Sequence, residues 1–418
     1  MDDEALAALG SAPLDWRWKG LPQAPGLTVG DLGAQRWSLL DGDLPLPVMV
    51  LREEAIAANI ATMRAFCAAH DASLAPHGKT TMAPELFARQ IEAGAWGITV
   101  ATPVQARVCA AFGVPRVIVA REVVDPAGLA ELAAVQLAGT EVLLFVDSVE
   151  GAARAAAAFD AGSPLACLVE VGMVEGRAGT RGHEAALAVA RAIATEPSLA
   201  LRGVAAWEGH IGGPDLDAAE RRVDAYLGEV RAVAEALDGA GLFDDAAEVV
   251  MTAGGSAWFD RVAAILRPSL SRPVRLVLRS GCTVSHDDGL YAHLSPFARG
   301  TADGVLAPAI EVWGAVESLG EPGLAIVGFG KRDTAFDITM PIPRWIARGG
   351  VCRPAAGLEV VGLNDQHAFV RGDAVAELAI GDLLGCGISH PCTAFDKWRL
   401  VPVVGADHVV VGAVHTFF

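Results

Sequence analysis

A lysine in an otherwise apolar stretch is the residue of this sequence best placed to do chemistry. Only four lysines occur among the 32 lysine and arginine residues: Lys19, Lys79, Lys331 and Lys397. Lys79 follows a short β-rich run, and strand alternation would place it on the same face as His77. A lysine in a partly desolvated pocket is a good Schiff-base nucleophile. The alternative is a surface salt bridge, and the scarcity of lysine favours a catalytic pair, Lys79 with His77.

Two turns of small residues follow the last two of eight predicted strands. They are Thr252-Ala253-Gly254-Gly255-Ser256 and Ser280-Gly281-Cys282-Thr283. Backbone N–H groups in such turns can bind a phosphate, and a barrel of parallel strands commonly holds one at these two positions. Either turn alone would be an ordinary tight turn, but the pair favours a phosphate site.

The ends of two earlier predicted strands add three candidate binding residues. Arg177 follows the fifth strand, where its planar fork could donate to a phenolate oxygen or a carboxylate. Trp207 and His210 follow the sixth strand, where an indole offers a stacking face and an imidazole could orient or titrate. Each of the three could instead have no role in binding: Arg177 could be a solvated loop arginine, Trp207 a buried aromatic ring and His210 a hydrogen-bonded histidine.

A possible metal site lies in the segment Ser389-His390-Pro391-Cys392-Thr393. In extended chain His390 and Cys392 share one face, and imidazole with thiolate forms a partial shell for zinc. Two protein ligands suit an open site in which water and substrate complete the coordination. His367 could lie nearby, but its spacing does not show this.

Residues from about 45 to 305 alternate between β-rich runs and alanine-rich amphipathic segments, which is typical of βα units. Eight strands are predicted, at 73–77, 97–101, 116–120, 141–146, 165–171, 201–206, 247–252 and 275–279. Helices are predicted between most of them, at 83–93, 102–112, 126–138, 149–161, 183–195 and 216–239. The pattern predicts an α/β fold with a (β/α)8 TIM-type barrel. A doubly wound open sheet is the alternative, disfavoured because no Gly-x-Gly-x-x-Gly follows the first strand.

The helical pattern stops after about residue 305, and short strands separated by turns follow. The predicted domains are an N-terminal extension at 1–43 that could join the β domain, a barrel at 44–305, and a C-terminal β domain at 306–418 that carries the metal ligands. The predicted strands of the third segment are 310–319, 324–330, 358–363, 382–387, 399–405 and 408–414.

Composition narrows the possible partners. The 418-residue chain has 52% hydrophobic residues and a formal charge of −18, so it can form a large core but lacks the basic surface that nucleic acid or an anionic membrane requires. The acidic N-terminus is unlike a secretory signal, and seven cysteines suggest no disulfide framework. We therefore expect a cytoplasmic protein with a small-molecule substrate.

These motifs together resemble the D-serine dehydratase/D-threonine aldolase family of fold-type III, alanine-racemase-like pyridoxal-phosphate enzymes. The resemblance rests on the segments 76–80, 252–256 and 389–396. It implies that Lys79 binds pyridoxal 5'-phosphate, that Arg177 meets its 3-oxygen, and that His390 and Cys392 bind a divalent metal, zinc or alternatively manganese. It implies that the phosphate is held by Gly254, Gly255, Ser256, Gly281 and Cys282, and that the chain forms a homodimer.

The resemblance implies a dehydratase that converts D-serine or a related 3-hydroxy-D-amino acid to a 2-keto acid and ammonia. The alternative within the family is D-threonine aldolase, which gives glycine and an aldehyde. His-x-Cys at positions 390 and 392 favours the dehydratase, because the aldolases tend to carry His-x-Asp. Racemisation is a third interpretation, disfavoured because neither Tyr226 nor Tyr291 lies in a matching motif. A non-catalytic pyridoxal-phosphate binding protein is disfavoured by the second domain.

Overall fold

The N-terminal segment leads into a strand of the second domain. The computed structural model describes residues 1–245 and 248–418. Helices α1 (Asp3–Leu9) and α2 (Leu32–Gln35) precede strand β1 (Val48–Arg52). Leu14, Leu21 and Leu32 pack in one buried cluster with Val48 and Trp313. β1 falls inside the range 44–305 predicted for the barrel, yet it pairs with strands of the C-terminal domain.

Eight parallel strands then form the first sheet. In the sheet, the first strand lies next to the last one, and the remaining six follow in reverse chain order. The strands are β2 (Ser73–Leu74), β3 (Ile98–Val100), β4 (Arg116–Val119), β5 (Glu141–Val146), β6 (Leu165–Val171), β7 (Leu199–Ala206), β8 (Val249–Ala253) and β9 (Val274–Leu278).

Backbone hydrogen bonds join the two ends of this sheet into a barrel. The N–H of Trp96 donates to Leu74 O over 2.7 Å and that of Thr99 to Pro76 O over 3.0 Å, which connects the β2 segment to β3. Because side chains alternate along a strand, one set fills the interior and the other faces the helices. The interior set includes Ile118, Phe145 and Val277, all buried.

Helices cover the outside of the barrel, and polar caps fix where several of them begin. They are α3 (Glu53–Ala69), α4 (Pro84–Glu92), α5 (Pro103–Ala111), α6 (Pro126–Leu137), α7 (Val149–Ala156), α8 (His183–Thr195), α9 (Leu216–Gly239) and α10 (Phe259–Ile265). The side chains of Thr102, Asp125, Ser148 and Asp215 each accept a hydrogen bond from a backbone N–H in the first turn of α5, α6, α7 and α9.

The C-terminal domain is built on a largely antiparallel sheet. Two short helices, α11 (Leu290–Leu294) and α12 (Pro296–Arg299), lead into it. Its strands are β10 (Ile310–Glu321), β11 (Leu324–Val327), β12 (Ile342–Arg348), β13 (Val351–Pro354), β14 (Glu359–Leu363), β15 (Ala368–Arg371), β16 (Leu383–Gly387), β17 (Leu400–Val404) and β18 (Val410–His415). β1 completes it between β10 and β17.

A shared apolar cluster joins the two domains. Leu51, Leu86, Val284, Phe395 and Trp398 are among its buried members. They come from β1, from α4, from the chain after β9 and from the turns before β17. This packing places the loop that carries His390 and Cys392 beside the barrel.

The predicted fold class, an α/β barrel followed by a β domain, is confirmed. All eight predicted barrel strands overlap an observed one, although residue 247 of the predicted 247–252 strand lies outside the described residues. The elements that the sequence patterns missed include α10 and the strands β1, β12, β13 and β15, which are short or interrupted by proline. Within residues 1–245 and 248–418, no helix has the length and apolar character needed to span a membrane.

Candidate active site

A cavity of about 360 Å³ opens at the carboxyl ends of the barrel strands. Six of the predicted site residues line it: His77, Lys79, Arg177, Trp207, Gly254 and Gly255. The same lining contains Arg121, Glu122 and Arg279, to which the sequence patterns assigned no role. The lining is therefore rich in cations, and these suit an anionic ligand.

Lys79 and His77 reach this cavity by a different route from the predicted one. The strand stops at Leu74, and Gly78–Thr80 form a 3-10 turn, so the expectation that strand alternation places both residues on one face is wrong. The turn nevertheless brings both to the cavity wall. Lys79 is exposed to it. His77 Nδ1 is buried and has no hydrogen-bond partner among the described residues.

The His77 ring is held neutral by its surroundings. Burial, followed by the charges of Lys79 and Arg279, places the pKa of His77 well below its ordinary value. A neutral imidazole can donate from one nitrogen and accept at the other. His77 can thus hydrogen-bond to a ligand in the cavity without adding charge.

Two arginines reach the cavity from different strand ends. The Arg177 guanidinium stacks 4.6 Å from the ring centroid of Trp207. Arg279 is only 5% exposed, and it donates to Thr252 Oγ1 and to Ala206 O, each over 2.7 Å. Thr252, predicted to touch the cofactor, therefore positions Arg279. Arg279 ends the predicted strand 275–279, a signal that could have identified it.

A buried carboxyl group lies beside these cations. Burial and, after it, the adjacent carboxyl group of Glu122 together raise the pKa of Glu170 to about 9, against the opposing charges of Arg177 and Arg279. Glu122 Oε1 and Glu170 Oε2 are both buried without a hydrogen-bond partner among the described residues. Glu170 is therefore neutral at pH 7 and can donate a hydrogen bond.

The first predicted phosphate turn already binds a carboxylate. The backbone N–H groups of Gly254 and Gly255 donate to the fully buried Glu208 carboxylate, over 3.0 Å and 2.6 Å. The structure thus gives these two N–H groups an acceptor other than a phosphate. Glu208 lies between Trp207 and Gly209, and the sequence patterns assigned it no role.

Several backbone N–H groups of the two turns remain available to an anion, among them those of Ser256, Gly281 and Cys282. These three donate to no acceptor in the described part of the chain. A Cβ atom at position 281 would lie 2.4 Å from His77 O, so only glycine allows this turn to approach the Lys79 segment closely. A phosphate site built on these three residues would border the Lys79 turn.

His210 lies outside the main cavity. It lines a smaller neighbouring space with Arg177 and Tyr226, and its Nε2 lies 2.7 Å from Met173 Sδ. The Tyr226 hydroxyl donates to Val171 O over 2.6 Å and so is occupied away from the cavity. The predicted His210 contact with a cofactor stays a prediction.

The predicted metal ligands His390 and Cys392 lie in one cluster with Cys282. Ligand atoms of the three side chains all lie within 4.8 Å of one another, and Cys282 Sγ is 3.5 Å from Cys392 Sγ. The cluster adjoins the Lys79 turn, because Thr80 Oγ1 lies 3.3 Å from Cys392 Sγ. The barrel supplies Cys282, and the loop before β17 supplies the other two.

The pKa shifts of Cys392 and His390 are those expected of side chains that can bind a metal. The hydrogen bond from Cys282 and the neighbouring His390 hold the pKa of Cys392 well below its ordinary value, so Cys392 is a thiolate. The Cys392 thiolate and Asp337 together raise the pKa of His390 to about 9. A divalent cation bound to Cys392 and His390 would replace the proton that these two side chains share.

Asp337 orients the histidine and was missed by the sequence patterns. Its Oδ2 lies 2.7 Å from His390 Nδ1, and its Oδ1 accepts from Thr393 Oγ1 over 2.8 Å. A carboxylate on the second ring nitrogen of a histidine ligand is a common feature of metal sites. Asp337 leaves Nε2 as the nitrogen available to a metal.

Comparison with known protein families agrees with this arrangement. Residues 51–268, just over half of the chain, match the family "Alanine racemase, N-terminal domain". The chain belongs to this family. Residues 309–404 match "Putative serine dehydratase domain", which carries the predicted metal ligands. The resemblance to the D-serine dehydratase/D-threonine aldolase family is thereby confirmed.

Two curated proteins are similar in sequence to this family member. A D-threonine aldolase from Arthrobacter sp is 27% identical over 84% of this chain and 86% of its own length. A 3-hydroxy-D-aspartate aldolase from Paracoccus denitrificans is 29% identical over 54% of this chain, and that match spans only 58% of the aldolase.

Two solved structures share the fold. D-threonine aldolase from Filomicrobium marinum has a TM-score of 0.76 at 23% identity, over 90% of this chain and 95% of the aldolase. D-threo-3-hydroxyaspartate dehydratase from Delftia sp. HT23 has a TM-score of 0.72 at 23% identity, over 91% of this chain and 99% of the dehydratase.

Proposed function

We propose that this chain is a pyridoxal-phosphate- and metal-dependent lyase that acts on 3-hydroxy-D-amino acids. The observation that carries the proposal is the position of Thr80, which follows Lys79 and lies 3.3 Å from Cys392 Sγ. A substrate whose amino group takes the place of Lys79 on the cofactor could therefore place its 3-hydroxyl near His390 and Cys392. A 3-hydroxy-amino acid has two such groups on adjacent carbons.

The residues present fit pyridoxal phosphate. Lys79 would bind its aldehyde carbon, and the free N–H groups of Ser256, Gly281 and Cys282 would hold its phosphate. Arg177 would meet its 3-oxygen. The cavity volume of about 360 Å³ lies within the range of cofactor sites. Bound pyridoxal phosphate supplies an electron sink for the carbon atom that carries the amino group.

The side chains around the cavity then have distinct roles in proton transfer and binding. Lys79 Nζ, once displaced by the substrate amine, would accept the α-proton. Neutral His77 would hydrogen-bond a bound group without adding charge. Buried Arg279 would place a fixed positive charge at the cavity wall, because guanidinium stays protonated in proteins.

The metal ligands would act on the 3-hydroxyl group. His390 and Cys392 would hold a divalent cation, zinc in preference to manganese, because thiolate and imidazole favour zinc. A bound divalent cation acts as a Lewis acid on an oxygen atom. A structure of the related dehydratase is described as its metal-free form, which supports metal binding in that protein.

Within the lyases, we propose β-elimination to a 2-keto acid and ammonia. Lys79 Nζ would take the α-proton, and the bond between Cβ and the hydroxyl oxygen would break so that the hydroxyl leaves as water. Hydrolysis of the resulting enamine by a second water gives the 2-keto acid and ammonia. The His-x-Cys pair supports this choice. D-serine is the simplest substrate of this class. Homodimer formation is proposed on the same resemblance, and a cytoplasmic location is proposed on the composition of the chain.

The second candidate is an aldolase that gives glycine and an aldehyde. The curated relatives support it, since both are named aldolases. This reaction needs a base for the hydroxyl proton instead of one for the α-proton. Neutral His77 lines the cavity and is a candidate for that base, and its lowered pKa makes it a weak one.

Product analysis with D-threonine tests the choice. The purified protein, loaded with zinc and pyridoxal phosphate, is mixed with D-threonine and with D-serine, and the products are identified by mass spectrometry. We expect 2-ketobutyrate and ammonia from D-threonine. Glycine with acetaldehyde would establish the aldolase, and no product from either amino acid would contradict the lyase proposal. L-threonine and the Lys79→Ala variant serve as controls.

A further inference from the structure

Cys282 occupies a position that the two-ligand metal site does not explain. It lies in the turn after β9, and its side chain is 5% exposed. Its sulfur points at Cys392, 110 residues further along the chain, over 3.5 Å. We propose that Cys282 is a third protein ligand, so that the centre binds zinc through two thiolates and one imidazole. The inference rests on the proposed function only in placing a metal at His390 and Cys392.

The distance between the two sulfur atoms fits a shared metal ion. Two thiolates that each lie about 2.3 Å from one tetrahedral zinc ion are separated by about 3.8 Å. The observed 3.5 Å is close to this value. A disulfide would instead require a sulfur–sulfur distance of about 2.05 Å. The ligand atom of His390 lies within 4.8 Å of both sulfurs, as the third corner requires.

The surroundings of Cys282 also suit a metal-bound sulfur. Thr80 Oγ1 lies 4.0 Å from Cys282 Sγ and 3.3 Å from Cys392 Sγ, so one hydroxyl is near both sulfurs. The hydroxyl of the half-buried Tyr291 also faces Cys282, and burial followed by this sulfur raises the pKa of Tyr291. Donors of this kind stabilise negative charge on coordinating sulfur and orient the ligand. Asp337 performs the equivalent role for His390.

A third ligand changes what the centre can do. Catalytic zinc sites typically have three protein ligands and one open position, and two cysteines with one histidine form one such set. A single open position admits one oxygen atom, which matches one hydroxyl group of a substrate. Two soft thiolates also favour zinc over manganese or magnesium more strongly than one thiolate does. The predicted alternative, manganese, is therefore disfavoured.

Cobalt substitution counts the thiolates directly. The full-length protein is freed of metal with a chelator and titrated with Co²⁺, because thiolate-to-cobalt absorbance grows with the number of coordinated sulfurs. We expect Cys282→Ser and Cys392→Ser each to halve this absorbance. Cys352→Ser is the matched control, since Cys352 is a partly exposed cysteine in β13, and it should leave the spectrum unchanged.

Zinc affinity gives a second, graded measurement. Asp337→Asn keeps all three ligands and changes only a partner of His390, so we expect a loss of roughly 10–100-fold. Cys282→Ser removes a ligand, and its loss of zinc affinity should exceed that of Asp337→Asn. Competition with a chromophoric zinc chelator measures both. If Cys282→Ser loses no more affinity than Cys352→Ser, Cys282 is not a ligand.

X-ray absorption on the unaltered protein keeps the test independent of how the variants fold. Zinc with two sulfur and one or two nitrogen or oxygen neighbours supports the inference, and zinc with one sulfur neighbour overturns it. A Cys282–Cys392 disulfide in the zinc-loaded protein, or no zinc binding, would also overturn it. Two-sulfur zinc without lyase activity would refute the proposed function alone, and lyase activity with one-sulfur zinc would refute this inference alone.

Discussion

The hydroxyl of Thr80 lies 3.3 Å from the sulfur of Cys392, although 312 residues separate them in the chain. The contact joins the turn that carries Lys79 to the loop that carries the proposed metal ligands. Because the 3-10 turn Gly78–Thr80 is short and buried at Gly78 and Thr80, it fixes the amine relative to the cluster. The barrel and the β domain thus contribute to one site.

Replacing Lys79 should remove covalent cofactor binding. Lys79→Ala deletes the only amine that lines the cavity in the described part of the chain. We expect loss of the visible absorbance of lysine-bound pyridoxal phosphate, and a fall in turnover of at least the roughly 10²–10⁴-fold that a positioned acid–base group contributes. Lys331→Ala, at an exposed lysine in the β domain, is the control. Persistence of the absorbance in Lys79→Ala would contradict the assignment.

Replacing Glu208 should destabilise the first glycine turn. Its carboxylate accepts the N–H groups of Gly254 and Gly255, and both lie at the cavity wall. Glu208→Ala leaves two donors without a partner, so we expect the free energy of unfolding to fall by about 2–5 kcal/mol. Urea titration measures this, and Glu208→Gln, which keeps one acceptor oxygen, should lose less.

The same variants separate support of the turn from competition for it. If Glu208 supports the turn, pyridoxal-phosphate affinity falls in Glu208→Ala. A rise in affinity would mean that the carboxylate competes with the phosphate for these N–H groups. Glu150→Ala, which removes an exposed carboxylate from α7, should stay within about 0.5 kcal/mol of the wild type.

Periodicity predicted the barrel because each of its strands is a local pattern bounded by turns. That His390 and Cys392 lie together was also predictable, since they share one short motif. The roles of Cys282 and Asp337 depend on contacts between distant segments, and these exist only once the barrel and the β domain pack together. Arg279 was visible at a strand end, but its burial depends on how the interior is filled.

The two predicted phosphate turns show again that contacts between distant segments cannot be predicted from a local sequence pattern. Small residues in Gly254-Gly255 predict available N–H groups, but a nearby acceptor decides whether they are free. That acceptor, Glu208, comes from the end of β7, the strand beside β8 in the sheet. A sequence pattern predicts the N–H donors of a turn, but it does not predict which acceptor from another strand lies next to them in the fold.

Replacing Asp337 should weaken metal binding without removing a ligand. Asp337 accepts from His390 Nδ1 and from Thr393 Oγ1, and so it fixes the ring orientation. We expect Asp337→Asn to reduce zinc affinity by roughly 10–100-fold and Asp337→Ala to reduce it more. Asp365→Asn, at an exposed carboxylate of the β domain, is the control. Zinc affinity equal to that of the wild type would show that His390 needs no orienting partner.

Glu170 should make stability depend on pH, and the sign follows from its raised pKa of about 9 against 4.5 for an ordinary glutamate. Below about pH 4.5 both the folded and the unfolded states keep the proton. Between about 4.5 and 9 the unfolded state loses it and the folded state retains it. The free energy of unfolding therefore falls as pH rises through this window, by at most about 1.4 kcal/mol per pH unit.

Glu170→Gln should remove this dependence, because an amide keeps the shape of the carboxyl group and does not titrate. The variant should gain stability relative to the wild type as pH rises from 5 to 8.5, measured by urea unfolding of metal-free protein at each pH. Glu150→Gln is the control for removing an exposed carboxylate. A difference between Glu170→Gln and wild type that stays constant with pH would mean that Glu170 is ionised in the folded protein. A carboxylate next to the cavity would then oppose the charges of Arg177 and Arg279, so the positive potential that a phosphate-bearing ligand meets in the cavity would be smaller.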